Sequence, residues 1–305
     1  MGELQPLIGW LAMLAGALLL AGSGLMLLTA ARRHKHAAQP VSSANPWRYL
    51  YPLCQARQHL GHRHEQQDFV LIPFQSDAHE WVRRHGCLSV LSDGMGGMDS
   101  GALTSRQCAQ SLFGAYANAP EIADPAAFFR ETILSIDRRI ASLTGQDGQA
   151  LRAGTTVTVV LIRGTTLFWA SVGDSRIYLW HQQQLTQLSQ DHHYLTTLLE
   201  QVARDQITLD EALDDPRKDA LSRYVGMGKL EAIDTGVLEH ALEPDDLVVL
   251  CSDGLTRALD DDELREVIRN TQIRGLLADR LIETAIQKDY LVHDNISVVV
   301  VSAGA

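Results

Sequence analysis

The sequence predicts an α+β layered domain, a largely antiparallel sheet with helices on its outer faces, preceded by one apolar helix. Three observations predict it. After Pro46, short β-branched runs alternate with stretches of helical periodicity. The runs in the middle of the chain are joined by connections far shorter than the roughly dozen residues that a parallel crossover needs. Before Pro46, no charged residue occurs between Leu4 and Ala31.

The N-terminal run LIGWLAMLAGALLLAGSGLMLLTAA, ending at Ala31, is long enough to span a bilayer as a helix. Arg32, Arg33 and Lys35 follow it, and positive charge on that flank places the rest of the chain in the cytoplasm. A cleaved signal peptide is the alternative, but the run is long for one and its leading segment carries Glu3. The expected organisation is a transmembrane anchor over 1–31, a basic juxtamembrane segment and linker over 32–45, and one domain over 46–305. The linker reads AAQPVSSAN, polar with Pro and Ser.

Within the domain the first strand-like run is CLSVLSD (Cys87–Asp93). Helical stretches follow over Leu103–Ala117 and Pro125–Ser142. Then come TTVTVVLI (Thr155–Ile162), TLFWASVGD (Thr166–Asp174) and RIYLW (Arg176–Trp180), all rich in β-branched and aromatic residues. Arg163–Gly164 turns the first of these into the second, VGDSRIYL bends tightly, and WHQQQLTQL reads as a third hairpin. Helices are expected over Tyr194–Arg204, Asp261–Asn270 and Arg274–Gln287, and strands over Asp246–Asp253 and Asn295–Ser302. Thr208 in TLDE is placed to cap a further short helix. A doubly wound nucleotide-binding sheet is excluded by this order.

The chain has a formal net charge of −11, so it offers no basic field to a phosphate backbone, and nucleic acid is excluded as a partner. Cys54, Cys87, Cys108 and Cys251 show no C-x-x-C spacing. They signal neither a zinc cluster nor a disulfide framework, and a reducing compartment is expected.

Asp93, Asp174, Asp253 and Asp294 share one local pattern, an aspartate at the rim of an apolar run. Any single Asp-Gly pair is ordinary turn chemistry. Together the rim aspartates point to a cation, because carboxylates gathered without one repel and take up protons. An oxygen-only set with no paired His or Cys suits Mg²⁺ or Mn²⁺ over zinc. Gly94 and Gly254 let the backbone come close, and Gly94 is able to offer its carbonyl.

Through SDGMGGMDSG, AGTTVTVVLI, ASVGDSRIYLW, LTQLSQDHH, LVVLCSDGL and HDNISVVVV, in that order, the chain resembles the metal-dependent Ser/Thr protein phosphatases of the PPM (PP2C-like) family in their bacterial form. The resemblance covers Trp47 to Ser302. It implies a four-layer α-β-β-α sandwich of two mainly antiparallel sheets flanked by helices. It implies two Mn²⁺ or Mg²⁺ ions, with a third in bacterial members. Asp93 then bridges the pair, Gly94 adds its carbonyl, Asp253 and Asp294 bind one of them, and Asp174 with Asp253 holds the third. The implied catalytic set is Arg63, Asp68 and Asp93. Arg63, in GHRHEQQDF, is the phosphate-binding arginine, a role that suits a guanidinium. Attack on phosphorus comes from a metal-bridging water, without a covalent phosphoenzyme.

The sequence departs from the family pattern at Gln67, where a glutamate is usual, and at Ala102, where bacterial members often carry Glu. Met95 stands where some members place a histidine, which leaves the general acid unassigned and makes Met95 a wall residue. His192 and His193 read as a structural bend. Residues 190–235 match the family's flap, expected to govern which phosphoprotein docks and to move at its GMG end. The implied partners are phosphorylated proteins, a Ser/Thr kinase that makes them, and the inner membrane through the N-terminal helix, with the catalytic domain in the cytoplasm. Two alternatives stay open: a membrane-tethered pseudophosphatase acting as a regulatory module, and a hydrolase of small phosphate esters.

Overall fold

The central strands carry apolar side chains on both faces, so each face needs a cover, and two antiparallel sheets packed between helices supply it. The structure, a computed structural model, describes residues 53–73, 85–96, 100–145, 148–288 and 294–303. The chain divides into two units, Met1–Pro46 and Trp47–Ala305. The expected anchor over 1–31 and the segment over 32–45 lie outside the described residues. Among the described residues no helix is long and apolar enough to cross a membrane.

The first sheet runs in the order β1 (Leu53–His59), β11 (Ile296–Ser302), β10 (Leu247–Cys251), β7 (Arg176–His181) and β8 (Gln184–Gln187). The second runs β2 (Asp68–Leu71), β3 (Cys87–Gly96), β5 (Val157–Arg163), β6 (Thr166–Val172) and β9 (Asp234–Val237), with β4 (Ala153–Thr155) paired to the far end of β3. Every pairing in both is antiparallel.

The period of two along the strands sorts side chains between three cores. On β11, Ile296, Val298 and Val300 pack under the outer helices of the first sheet, while Val299 and Val301 point into the space between the sheets. On β5, Val157, Val159 and Leu161 meet the helices of the second sheet, and Val160 and Ile162 face inward. The second sheet is covered by α1 (Ser100–Asn118) and α2 (Pro125–Ala141), the latter capped by the Asp124 carboxylate on the Ala126 and Ala127 amides. The first sheet is covered by α5 (Asp253–Ala258), α6 (Asp261–Asn270) and α7 (Leu277–Lys288). The helix expected from Arg274 begins as a 3₁₀ turn and becomes α-helical at Leu277. Between β8 and β9 lie α3 (Tyr194–Ala203) and α4 (Leu209–Asp214), and Thr208 with Glu211 forms the expected capping box.

Three readings of the sequence are corrected. β6 and β7 do not pair with each other: Gly173–Ser175 carries the chain from one sheet to the other, with Gly173 at φ +108°. The strand holding Asp93 does not stop there but continues to Gly96, because β4 offers a partner to Gly94 and Gly96. Asp253 does not end β10; Ser252 is the N-cap and Asp253 opens α5.

Candidate metal centre

The sandwich delivers its aspartates to one place. Asp93 comes from the middle of β3, Asp174 from the crossing between sheets, Asp253 from the start of α5 and Asp294 from the turn before β11. All four line a cavity of about 250 Å³, together with Arg63, Gln67, Gly94, Met95 and Thr156. Asp68 stands behind them, 3% exposed, as the cross-strand partner of Asp93. The residues expected from sequence are therefore brought together, with Asp68 in the wall rather than on the surface.

The polar residues around these aspartates fix them. The Asp93 amide donates to Thr156 Oγ1 at 3.0 Å, and the Asp93 carbonyl accepts from the Thr156 amide and from Thr155 Oγ1, each at 2.8 Å. Ser252 Oγ donates to Asp68 Oδ2 at 2.9 Å and accepts from the Ser297 amide. Asn295 clamps the loop before β2: its Nδ2 donates to the carbonyls of Leu60 and Glu65, and its Oδ1 accepts from the Gln67 amide. That loop carries Arg63, whose Nη2 donates to Asp294 Oδ2 at 2.8 Å.

The glycines beside the aspartates are contact points between backbones. A Cβ on Gly94 would lie 2.1 Å from the Gly101 carbonyl oxygen, and one on Gly254 would lie 2.1 Å from that of Asn295. Each missing side chain lets a helix seat directly on the strand end that presents an aspartate.

Electrostatically the cavity is overloaded with negative charge. Burial, and then the charges of Asp68, Asp253, Asp174 and Asp294, hold the Asp93 carboxyl well above the ordinary carboxylate range. Burial raises Asp68 to about 6, and burial with the charge of Asp174 raises Asp253 to about 7. Arg63 and Arg257, the latter 2.6 Å from Asp253 Oδ2, are the cations that line the cavity. Asp68 Oδ1 and Asp253 Oδ1 are buried without a hydrogen-bond partner. Crowded carboxylates, orphaned acceptor oxygens and an oxygen-only donor set fit hard divalent cations such as Mg²⁺ or Mn²⁺.

A second hollow of about 390 Å³ adjoins the first and shares Asp174, Asp219, Asp253 and Arg257 with it. His193 lines it, with Nε2 3.2 Å from Asp174 Oδ2, and that contact raises the pKa of its imidazole. His192 is structural: it is 5% exposed and its Nδ1 accepts from the Gly173 amide. The flap closes on itself at its base, where Tyr194 and Leu195 amides donate to the carbonyls of Ala220 and Lys218, and Ser222 donates to His192. Its GMG end is held by the buried carboxylate of Asp137, which accepts from the amides of Gly226, Gly228 and Leu230. Asp219 and Arg257 carry no signal in the sequence as site residues. Asn295, Ser252 and the Thr155–Thr156 pair lie inside the motifs already singled out, and polar residues at the ends of apolar strands mark them.

Known proteins resemble this chain in sequence and fold. The family profile described as Protein phosphatase 2C matches residues 62–197. The Serine/threonine phosphatase stp of Listeria monocytogenes is 30% identical over 216 residues, which are 70% of this chain and 82% of that protein. The solved structure of the S. agalactiae serine/threonine phosphatase superposes with a TM-score of 0.69 at 28% identity, covering 83% of this chain and 100% of the other. The catalytic domain of the serine threonine protein phosphatase PstP, solved in complex with 2 manganese ions, gives a TM-score of 0.65 at 26% identity, over 84% of this chain and 100% of that one.

Proposed function

The chain belongs to the protein phosphatase 2C family, and from that premise we propose that it releases phosphate from phosphoserine and phosphothreonine in proteins. It is a metal-dependent phosphatase, and its cofactor is Mn²⁺ or Mg²⁺. The observation that supports the reading most is the convergence of Asp93, Asp174, Asp253 and Asp294, from separate segments, on one cavity beside Arg63.

In this reading the Asp93 carboxylate and the Gly94 carbonyl would hold divalent cations in the cavity. Asp253 and Asp294 would add their carboxylates there, and Asp174 with Asp253, which line both hollows, would hold a further ion. When bound, the ions supply positive charge that lowers the pKa of the attacking water and neutralises the phosphoryl oxygens. The residues of the chain do the rest. Arg63 is about half exposed at the cavity and its loop is pinned by Asn295, so its guanidinium is placed to take two oxygens of a phosphoryl group. Asp68 sits too deep to touch a substrate; it fixes Ser252 and adds its charge behind Asp93. Asp219 lines the same hollow as Arg257, next to the cavity of the converging aspartates.

The apolar run over 1–31 and the charges of Arg32, Arg33 and Lys35 support a single-pass anchor in the inner membrane, with this domain on the cytoplasmic side. Its partners there are phosphoproteins and the Ser/Thr kinase that produces them. A tethered module without turnover is disfavoured by the full set of aspartates.

The test is phosphate release from a phosphothreonine peptide by the full-length chain. Release is expected with Mn²⁺ or Mg²⁺ and none with excess chelator. Turnover of a small aryl phosphate with none of any phosphopeptide would move the reading to small esters. No release from either, with metal bound, would remove the enzymatic reading.

A further inference from the structure

Cys54 and Cys87 meet across the sandwich. Cys54 lies on β1 of the first sheet, in register with Val301, and Cys87 opens β3 of the second, in register with Ile162. Their sulfurs are 3.3 Å apart, and both side chains border the core between the sheets. A disulfide needs about 2.05 Å between sulfurs, so closure asks for a movement of about 1 Å. β1 and β3 belong to different sheets and pair with different strands, and the side-chain contacts of Cys54 with Cys87 and Ser89 bridge them at this end.

The two thiols differ in the way that an attacking and a resolving thiol differ. Cys54 is partly exposed and Cys87 is 2% exposed. The hydrogen bond shared with Cys87 lowers the Cys54 pKa, while the same contact and burial push Cys87 well above its ordinary value. The other cysteines are set up differently. Cys108 and Cys251 are 0% exposed in two separate cores under the helices, each pushed up to about 12 by burial.

We propose that Cys54 and Cys87 form an oxidant-responsive dithiol that closes into a disulfide stapling one sheet to the other. The oxidant is a hydroperoxide. The Cys54 thiolate attacks its terminal oxygen, the O–O bond breaks, and the alcohol or water leaves with a proton, giving a Cys54 sulfenic acid. Cys87 sulfur then attacks Cys54 sulfur, the S–O bond breaks, and the departing hydroxide takes the Cys87 proton as water. Two electrons pass from the two thiols to the peroxide. In a reducing compartment such a bond is transient, which suits a responsive pair rather than a permanent brace.

The consequence follows from where the strands lead. β1 runs from Cys54 toward Arg63, and β3 runs from Cys87 toward Asp93. The staple therefore ties together the far ends of the two strands that deliver these residues, and leaves the cavity itself untouched. Oxidation makes the domain harder to open and keeps its turnover.

The experiment uses the full-length protein, freed of reductant and exposed to a modest excess of hydrogen peroxide. The expected product has lost two hydrogens by intact mass, shows Cys54 joined to Cys87 on peptide mapping, and reverts with dithiothreitol. Its melting temperature rises by about 5–10 °C, as expected for closing a loop of this length. Cys54→Ser and Cys87→Ser keep their phosphatase turnover and show no rise, and in Cys87→Ser a sulfenic acid at Cys54 is trapped by dimedone. Cys108→Ser and Cys251→Ser keep the crosslink. A link through Cys108 or Cys251, a dimer between chains, oxygen addition without any link, or thiols that stay unreacted would each overturn the proposal.

Discussion

Asp68 and Asp93 stand directly opposite each other on β2 and β3, two carboxylates in cross-strand register inside one wall of the cavity. Like charges placed so are destabilising in a sheet. Burial pushes both pKa values up, Asp68 to about 6, and the charge of Asp68 adds to the rise at Asp93. The pair is a cost to the fold that cations at the cavity offset, and this gives the first prediction.

In chelator, the carboxyls of Asp68, Asp93 and Asp253 have higher pKa values folded than unfolded. Between about pH 4 and about pH 7 the folded chain therefore binds more protons than the unfolded one, and stability falls as pH rises through that window. Thermal melts of the full chain in EDTA should drop by several degrees between about pH 5 and about pH 8. Mn²⁺ favours the ionised carboxylates, so the drop should shrink or reverse. Asp253→Asn removes one of these groups and should flatten the slope in chelator. Equal slopes with and without Mn²⁺ would contradict the cation role.

Gly94→Ala and Gly254→Ala each force a methyl group to 2.1 Å from a carbonyl oxygen of the main chain. Neither oxygen can rotate away, so the helix or the strand end must shift. Denaturant unfolding should show a loss of about 2–3 kcal/mol for either change, with turnover lost as the neighbouring aspartate moves. Gly275→Ala, with open space around it, should cost well under about 1 kcal/mol.

The strands buried on both faces were legible in the sequence, because Val-rich runs such as TTVTVVLI have no other home. β1, β2, β4 and β9 were not. β1 carries Gln55, Arg57 and His59 at a sheet edge, and the other three have only three or four residues each, too few to show a period. The four rim aspartates were visible as a pattern, but their local settings were not. The sequence cannot show that β4 prolongs β3 past Asp93, or that Asp253 opens a helix, since both depend on pairing between distant segments. Asp219 and Arg257 reach the cavity only through the packing of the flap and α5.

Asn295 holds the Arg63 loop by three hydrogen bonds and does not itself line the cavity. Asn295→Ala should cost about 1–3 kcal/mol in stability. With the guanidinium no longer held in place, kcat/KM for a phosphopeptide should fall by about tenfold or more. Mn²⁺ affinity should change far less than kcat/KM, and a loss confined to metal affinity would show that Asn295 serves the ligands rather than Arg63.

Gln67 lines the cavity and presents a neutral amide to it. Its amide N–H and carbonyl on the backbone are engaged with Asn295 and Gly94, so the side chain can be changed without loosening the loop. Gln67→Glu adds a charged donor of nearly the same shape. The Mn²⁺ concentration giving half-maximal turnover should fall by roughly three- to tenfold, about 1 kcal/mol of added ion attraction. An unchanged or higher requirement would mean that position 67 does not reach an ion.

The central claim is that the converging aspartates are a divalent-cation centre that hydrolyses phosphoprotein. Calorimetric titration of Mn²⁺ into the full chain, run beside phosphate release from a phosphothreonine peptide, tests it most directly. The wild type should bind at least two ions per chain and release phosphate. Asp93→Asn and Asp253→Asn should each bind at least one ion fewer and lose about 100-fold or more in kcat. Variants that bind the same number of ions and turn over as the wild type does would contradict the account.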